Sequence, residues 1–149
     1  MGPAMVTEIE RHLRAALPNE GCGLLAGNRG DRGALTANRF FPGTNVDASP
    51  TRYTMSPTEV LWAIEQMDFA RQQLLAIVHS HPDGPATPSQ TDLREFRYPE
   101  ALMVIADLSG KNPGAMILRA WRVDPLLFRP EEVRIDTASD VFGPTPGRC

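Results

Sequence analysis

Apolar residues recur along this chain with two periods, and the elements follow from where each period holds. Between Met5 and Leu17 they fall at Val6, Ile9, Leu13 and Leu17 with charges between, the spacing of an amphipathic helix. Met1 to Ala4 reads as a disordered lead, and His12, among charges, as a solvated surface residue. Pro18-Asn19 ends the helix. Glu20 to Gly27 (EGCGLLAG) is a short apolar strand beginning with an acid and two glycines, and glycine inside a strand often marks close approach of another backbone or a ligand. Asn28 to Arg32 is a hairpin-type turn into a strand around Ala34 to Phe41. A long loop, Thr44 to Thr51, and a brief strand, Arg52 to Met55, come next. Ser56-Pro57-Thr58-Glu59 spells a helix start, with an N-cap serine, proline in the first turn and glutamate at the third position. That helix is expected to reach about Arg71, with Val60, Ile64 and Met67 inward.

The densest pattern lies in the middle of the chain. Leu74 to Val78 is an apolar, β-branched run of buried-strand length that ends in His79-Ser80-His81. Residues two apart on a strand share a face, so both imidazoles can converge just past the strand end. Pro82-Asp83-Gly84-Pro85 is a turn-rich loop. Ser89-Gln90-Thr91-Asp92 then opens a short amphipathic segment with Leu93 and Phe96 as its apolar positions. Beyond it, Ala101 to Ala106 is another buried strand, Ser109 to Gly114 a tight turn, and Ala115 to Val123 an antiparallel partner that alternates strictly. Glu132 to Asp136 can form an edge strand, and Gly143 to Cys149 a loose tail. The order of elements predicts one α/β domain over 1–149, its core about 5–136, built on a mixed β-sheet flanked by helices.

Composition narrows the setting more than the chemistry. A chain of 149 residues with 42% hydrophobic and 22% charged residues suits a single globular domain. Its net charge of −3 gives no reason to expect nucleic acid or an anionic membrane as partner. Of 15 basic residues only Lys111 is lysine, which reflects genome composition before function. No stretch approaches the roughly 18 apolar residues of a membrane span, and the N-terminus lacks a secretory apolar region. Cys22 and Cys149 form no disulfide framework, so a reduced, cytoplasmic setting is expected. Cys22 has no evident base partner and reads as a small buried hydrophobe.

Candidate chemistry gathers at the strand end. Two imidazoles and one carboxylate make three protein ligands, the number a catalytic zinc uses when its fourth position is kept for water. Each element has a plainer reading. A His-x-His pair can be two core histidines satisfied by backbone groups, Ser-x-x-Asp is also a helix capping box, and a glutamate ahead of a strand is ordinarily a solvated end. Together, across one tight loop, the histidine pair and the carboxylate favour a metal site.

Glu20, then His79-x-His81, seven residues and Ser89-x-x-Asp92 reproduce the signature of the JAMM (MPN+) metalloproteases. The chain resembles that family's compact prokaryotic members also in Glu20-x-Cys22-Gly23-Leu24-Leu25-x-Gly27, in Asn45 with Ser49-Pro50-x-Arg52-Tyr53, and in Arg119-Ala120-Trp121-Arg122, so the likeness spans about residues 5 to 125. The resemblance implies a single MPN (cytidine-deaminase-like) domain with Zn²⁺ on His79, His81 and Asp92. It implies a water whose pKa falls towards ~7 on the metal, Glu20 as the acid/base that passes its proton to the leaving amine, and Ser89 as donor to the oxyanion. Ser80 would face the other way and be structural, and Arg52 could meet the acyl-side tail. The resemblance also implies a substrate among small ubiquitin-like or sulfur-carrier proteins ending in Gly-Gly, cleaved to release a cysteine or a lysine-linked adduct, and a homodimer stays open. The chain lacks the inserts of the eukaryotic ubiquitin-directed members and looks most like the cysteine-releasing group. The competing class is a non-catalytic MPN scaffold that binds ubiquitin-like partners; such modules lose metal residues that this chain keeps. A zinc nucleobase deaminase would need His-x-Glu and Pro-Cys-x-x-Cys, and neither occurs.

Overall fold

In the computed structural model the described residues are 1–110, 116–137 and 141–142. The chain runs through α1 (Pro3–Ala15), β1 (Cys22–Arg29), β2 (Leu35–Gly43), α2 (Pro57–Phe69), β3 (Gln73–His81), α3 (Gln90–Glu95), β4 (Leu102–Asp107), β5 (Ile117–Val123), β6 (Pro130–Val133) and β7 (Val141–Phe142). The strands form one sheet in the order β6-β5-β4-β3-β1-β2-β7. Among the described residues only β3 and β4 pair in parallel, joined by a crossover that contains α3; the other pairs are antiparallel. The expected single mixed sheet flanked by helices is the fold observed.

Strand alternation sorts the core onto two faces. Leu25, Ala76 and Val78 pack with Ile9 and Leu13 of α1, while Leu24, Ala26 and Ile77 pack with Ala63 and Met67 of α2. A third cluster, Met103, Ile105, Trp121 and Val123, meets Leu93 and Phe96 around α3. From Ala76 onward the even-numbered residues of β3 face α1, so Ile77 and, beyond it, His79 and His81 lie on the α2 and α3 side; before the register shift opposite Leu25 and Ala26 the sides are exchanged, with Leu75 toward α1 and Leu74 toward α2. Both neighbours of β3 bury it: His79 is opposite Cys22 of β1 and Ile105 of β4. Among the described residues no helix is long and apolar enough to cross a membrane.

Several elements differ from the sequence reading for identifiable reasons. The lead is not disordered: proline at the first helical position starts α1 at Pro3, Met1 is fully buried, and its ammonium donates to the Asp136 carbonyl at 2.7 Å. Leu17 lies past the helix end and is 40% exposed. His12 is half-buried rather than solvated. Its Nε2 lies 2.9 Å from the Cys22 carbonyl and 3.1 Å from that of Gly43, and its ring meets Phe40 edge-on. β1 runs on through Asn28 and Arg29, and the turn is a 3-10 segment at Asp31–Gly33. Arg52 to Met55 is not a strand; it contributes one bridge, Asn45 to Met55. At the start of α2 the Ser56 side chain makes no cap. Glu59 points away to accept from the Thr44 amide at 2.6 Å and the Thr44 hydroxyl at 2.8 Å, so the helix start is spent on fixing the preceding loop. This helix ends at Phe69, and its buried residues are Ala63 and Met67. The edge strand lies earlier than expected, at Pro130–Val133. The expected turn at 109–114 from Lys111 onward, and the tail Gly143 to Cys149, lie outside the described residues.

The close approach expected at the glycines that open this strand is found at Gly23, where an added Cβ would come within 2.7 Å of the Phe41 carbonyl oxygen, and it recurs at Gly27. A Cβ on Gly27 would collide with the Thr36 carbonyl oxygen and come within 2.8 Å of Leu75 Cδ1. Gly27→Ala is expected to cost about 3 kcal/mol by overpacking. Urea denaturation reads this directly, and an unchanged midpoint would mean that β1 and β2 do not pack so tightly.

Candidate metal centre

Ser80 organises the strand end from the face opposite the histidines. Its Oγ accepts from the Gly21 amide at 2.8 Å, and its own amide donates to the Gly21 carbonyl at 3.0 Å. Glu20, one residue earlier, is held by its main chain. Its amide donates to the Ser49 carbonyl at 2.9 Å, and its carbonyl accepts from Asn45 Nδ2 at 3.0 Å. Its side chain is thereby turned inward, and the residue is 2% exposed.

His79 and His81 lie as the strand period requires, with their Nε2 atoms 3.2 Å apart. Asp92 reaches both from the first turn of α3: Oδ1 is 3.2 Å from His79 Nε2 and Oδ2 is 3.1 Å from His81 Nε2. The capping box is also present. The Ser89 hydroxyl accepts from the Asp92 amide at 3.0 Å, and Asp92 Oδ2 accepts from the Ser89 amide at 2.8 Å. The two readings of Ser-x-x-Asp were therefore not exclusive, because one carboxylate aims at the cap with one lone pair and at the imidazoles with others. Glu20 Oε1 stands slightly farther off, 3.7 Å from His81 Nε2.

The electrostatics separate the two carboxyl groups. Burial pushes Glu20 up to about 7; the positive side of His81 works against this and Asp92 reinforces it. Burial would also raise Asp92, but hydrogen bonds from both imidazoles and the Ser89 amide hold it well below the usual carboxylate range. His79 is pushed down by burial, which the Asp92 contact only partly offsets. For His81 burial is outweighed by Asp92, the Pro85 carbonyl and Glu20, so it moves up.

These residues suit a bound cation. Each Nε2 offers one lone pair or one proton, yet each faces both the other Nε2 and an Asp92 oxygen. Lone pairs and a carboxylate converging on one buried point repel unless positive charge lies among them, and two imidazoles with a carboxylate oxygen are donors that a borderline divalent metal takes. Glu20, His79 and His81 also supply one donor each within 4.8 Å of one another. Of the two possible acid ligands, Asp92 makes the shorter contacts and touches both rings.

Elsewhere the sequence reading fares unevenly. Ser89 is exposed at the helix cap, Ser80 faces away as expected, and Arg52 is taken up in ion pairs with Glu95 and, at 3.8 Å, with Asp47. Cys22 is buried and its thiol is pushed up to about 12 by burial and then by Glu59 and Glu20, so it stays an inert thiol. Two residues of the stretch that resembles the family, Asn45 and Tyr53, prove to be supports of the site. Asn45 spends its whole side-chain amide, donating to the Glu20 and Arg52 carbonyls at 3.0 Å and accepting from the Asp47 and Thr54 amides at 3.1 Å. Tyr53 stacks on the His79 ring. Nothing in the spacing of either residue marks such a role. A groove of about 280 Å³ beside Asp92 is lined by Tyr53, Met55, Thr91, Glu95, Phe96 and Tyr98. The larger cleft, about 940 Å³ around Arg29, Gln73, Arg97 and Arg122, lies where β3 begins, away from the histidines.

Residues 3–124 match the family described as prokaryotic homologs of the JAB domain, Prok-JAB. The chain belongs to the Prok-JAB family. This Prok-JAB protein is 35% identical over 120 residues to the CysO-cysteine peptidase of Mycobacterium tuberculosis, covering 80% of the chain and 78% of that relative. It is 40% identical over 95 residues, 63% of the chain, to a probable TtuB-protein conjugate cleaving protease of Thermus thermophilus, of whose length it spans 60%. The desampylase of Haloferax volcanii is 31% identical over 120 residues, 80% of each chain. A solution structure from Desulfitobacterium hafniense superposes with a TM-score of 0.78 at 30% identity, covering 93% of this chain and 92% of that one. A JAB1/MPN domain protein from Archaeoglobus fulgidus shares the fold, with a TM-score of 0.56 at 17% identity over 93% of this chain and 97% of its own.

Ser80→Ala leaves the buried Gly21 amide without its acceptor, and such an orphan costs about 1–3 kcal/mol. A urea midpoint lowered by that amount is expected, and an unchanged midpoint would show that the pin is dispensable.

Proposed function

We propose that this Prok-JAB protein is a zinc-dependent peptidase acting in the cytoplasm. It hydrolyses the amide bond after the C-terminal Gly-Gly of a small ubiquitin-like or sulfur-carrier protein. The observation that carries the reading is the meeting of two Nε2 atoms with both oxygens of Asp92, beside a buried Glu20 whose Oε2 has no hydrogen-bond partner among the described residues. His79, His81 and Asp92 would hold the metal, and Zn²⁺ when bound supplies a Lewis acid that polarises water and the scissile carbonyl.

The chain's own residues divide the remaining work. Asp92, held well below the usual carboxylate range and steered by the Ser89 amide, stays ionised and fits the ligand role. Glu20, pushed up to about 7, has the affinity of a group that takes and returns a proton near neutrality. Its Oε2 is free to receive a proton from water and to deliver it to the leaving amine. The Ser89 hydroxyl accepts from the Asp92 amide through a lone pair, so its own proton remains for a developing oxyanion.

Cleavage of a cysteine adduct is supported by the mycobacterial relative, a CysO-cysteine peptidase matched over most of both chains. The Thermus relative, named for cleaving TtuB-protein conjugates, favours a lysine-linked adduct as the second reading. A non-catalytic scaffold fits less well, since such a module has no need of four ionisable groups in contact.

Metal analysis of the purified protein is expected to give one zinc per chain. Glu20→Gln is expected to keep that zinc while turnover falls about a hundredfold or more; full activity in this variant would remove the acid/base role. Asp92→Ala is expected to lose zinc, and unchanged stoichiometry would reassign the third ligand. A sulfur carrier bearing a C-terminal cysteine, set against one joined through lysine, decides the substrate; cleavage of neither overturns the peptidase reading.

A further inference from the structure

Metal-binding imidazoles are ordinarily held in place by a hydrogen bond from the ring nitrogen that does not face the metal. His81 has such an anchor, its Nδ1 lying 2.6 Å from the Pro85 carbonyl oxygen. His79 does not. Its Nδ1 is buried with no hydrogen-bond partner among the described residues, although the residue is 0% exposed. What lies against it is the ring of Tyr53, stacked with centroids 4.5 Å apart and planes 20° from parallel.

We propose that Tyr53 is the positioning residue for His79, a flat aromatic surface that stands in for the missing hydrogen bond. The proposal rests on the reading of His79 as a metal ligand. Rotation of the imidazole about its Cβ–Cγ bond would swing Nε2 away from His81 and Asp92, and a ring stacked on its face opposes that rotation. Tyr53 can do this because it is itself fixed. Asn45 binds the main chain on both sides of it, donating to the Arg52 carbonyl at 3.0 Å and accepting from the Thr54 amide at 3.1 Å. The Val46 amide donates to the Thr54 carbonyl at 2.9 Å, which closes the loop. Through the same Nδ2 that holds Arg52, Asn45 also holds the carbonyl of Glu20. The Arg52–Glu95 ion pair ties this loop to α3, the helix that carries Asp92. One loop thus sets the orientation of His79 and the placement of its acidic neighbours.

The test compares wild type, Tyr53→Phe and Tyr53→Leu, each stripped of metal and titrated with zinc against a chromophoric chelator, with a urea melt of each apoprotein. Tyr53→Phe keeps the ring and is expected to bind zinc within about twofold of wild type. Tyr53→Leu keeps apolar bulk without the flat face and is expected to lose about tenfold or more in zinc affinity, the usual effect of removing an orienting partner. A folded Tyr53→Leu protein with wild-type affinity overturns the positioning role and leaves the metal reading standing. Wild type that takes up no zinc overturns both. Should Tyr53→Leu fail to fold, proton NMR of wild type decides: the carbon-bound ring protons of His79 are expected upfield of those of His81, shielded by the stacked ring. Coincident shifts would mean that the stack does not hold His79, and would overturn the proposal.

Discussion

Everything at the candidate centre depends on burying several ionisable groups at one point without stranding any of their charge. A single carboxylate or imidazolium taken out of water is costly, and the cost is offset only when opposite charge or hydrogen bonds surround it. Here the groups compensate one another. The Asp92 carboxylate is stabilised by two imidazoles and by the Ser89 amide at the cap of its own helix, while Glu20, lacking such partners, retains its proton more readily. The division of chemical labour between two carboxyl groups follows from their surroundings.

The sheet makes this arrangement possible. β3 is held on one edge by antiparallel β1 and on the other by parallel β4, so its end is rigid where the histidines sit. The parallel pairing requires a crossover, and that crossover carries Asp92 back across the mouth of the strand. Ser80, between the histidines, uses the opposite face to clasp Gly21 and hence the segment that bears Glu20. A tripeptide therefore serves both sides of the sheet at once.

What could be read in the sequence was whatever strand and helix periods decide. The run into His79-Ser80-His81 sets a buried strand and puts both imidazoles on one side. Ser89-x-x-Asp92 sets a helix start, and the antiparallel partner of β4 alternates as written. What could not be read depended on tertiary partners. Met1 and Pro3 begin a helix because a pocket in the core receives Met1, and His12 leaves the solvent because two strand-end carbonyls need a partner. Glu59 has the right spacing for a cap but finds Thr44 instead. Tyr53 and Asn45 belong to a loop with no period, so their roles emerge only once the chain has closed on itself.

Cys22 shows how the same strand end keeps a potential nucleophile quiet. It is paired directly with His79 across β1 and β3, and it packs in the apolar cluster with Met55, Ala63 and Met67. Burial and neighbouring carboxylates keep its sulfur protonated. A neutral, enclosed thiol is a poor nucleophile and a poor target for oxidants. One strand away from the imidazoles, the chain thus carries sulfur that serves as filling and spares the protein a redox liability.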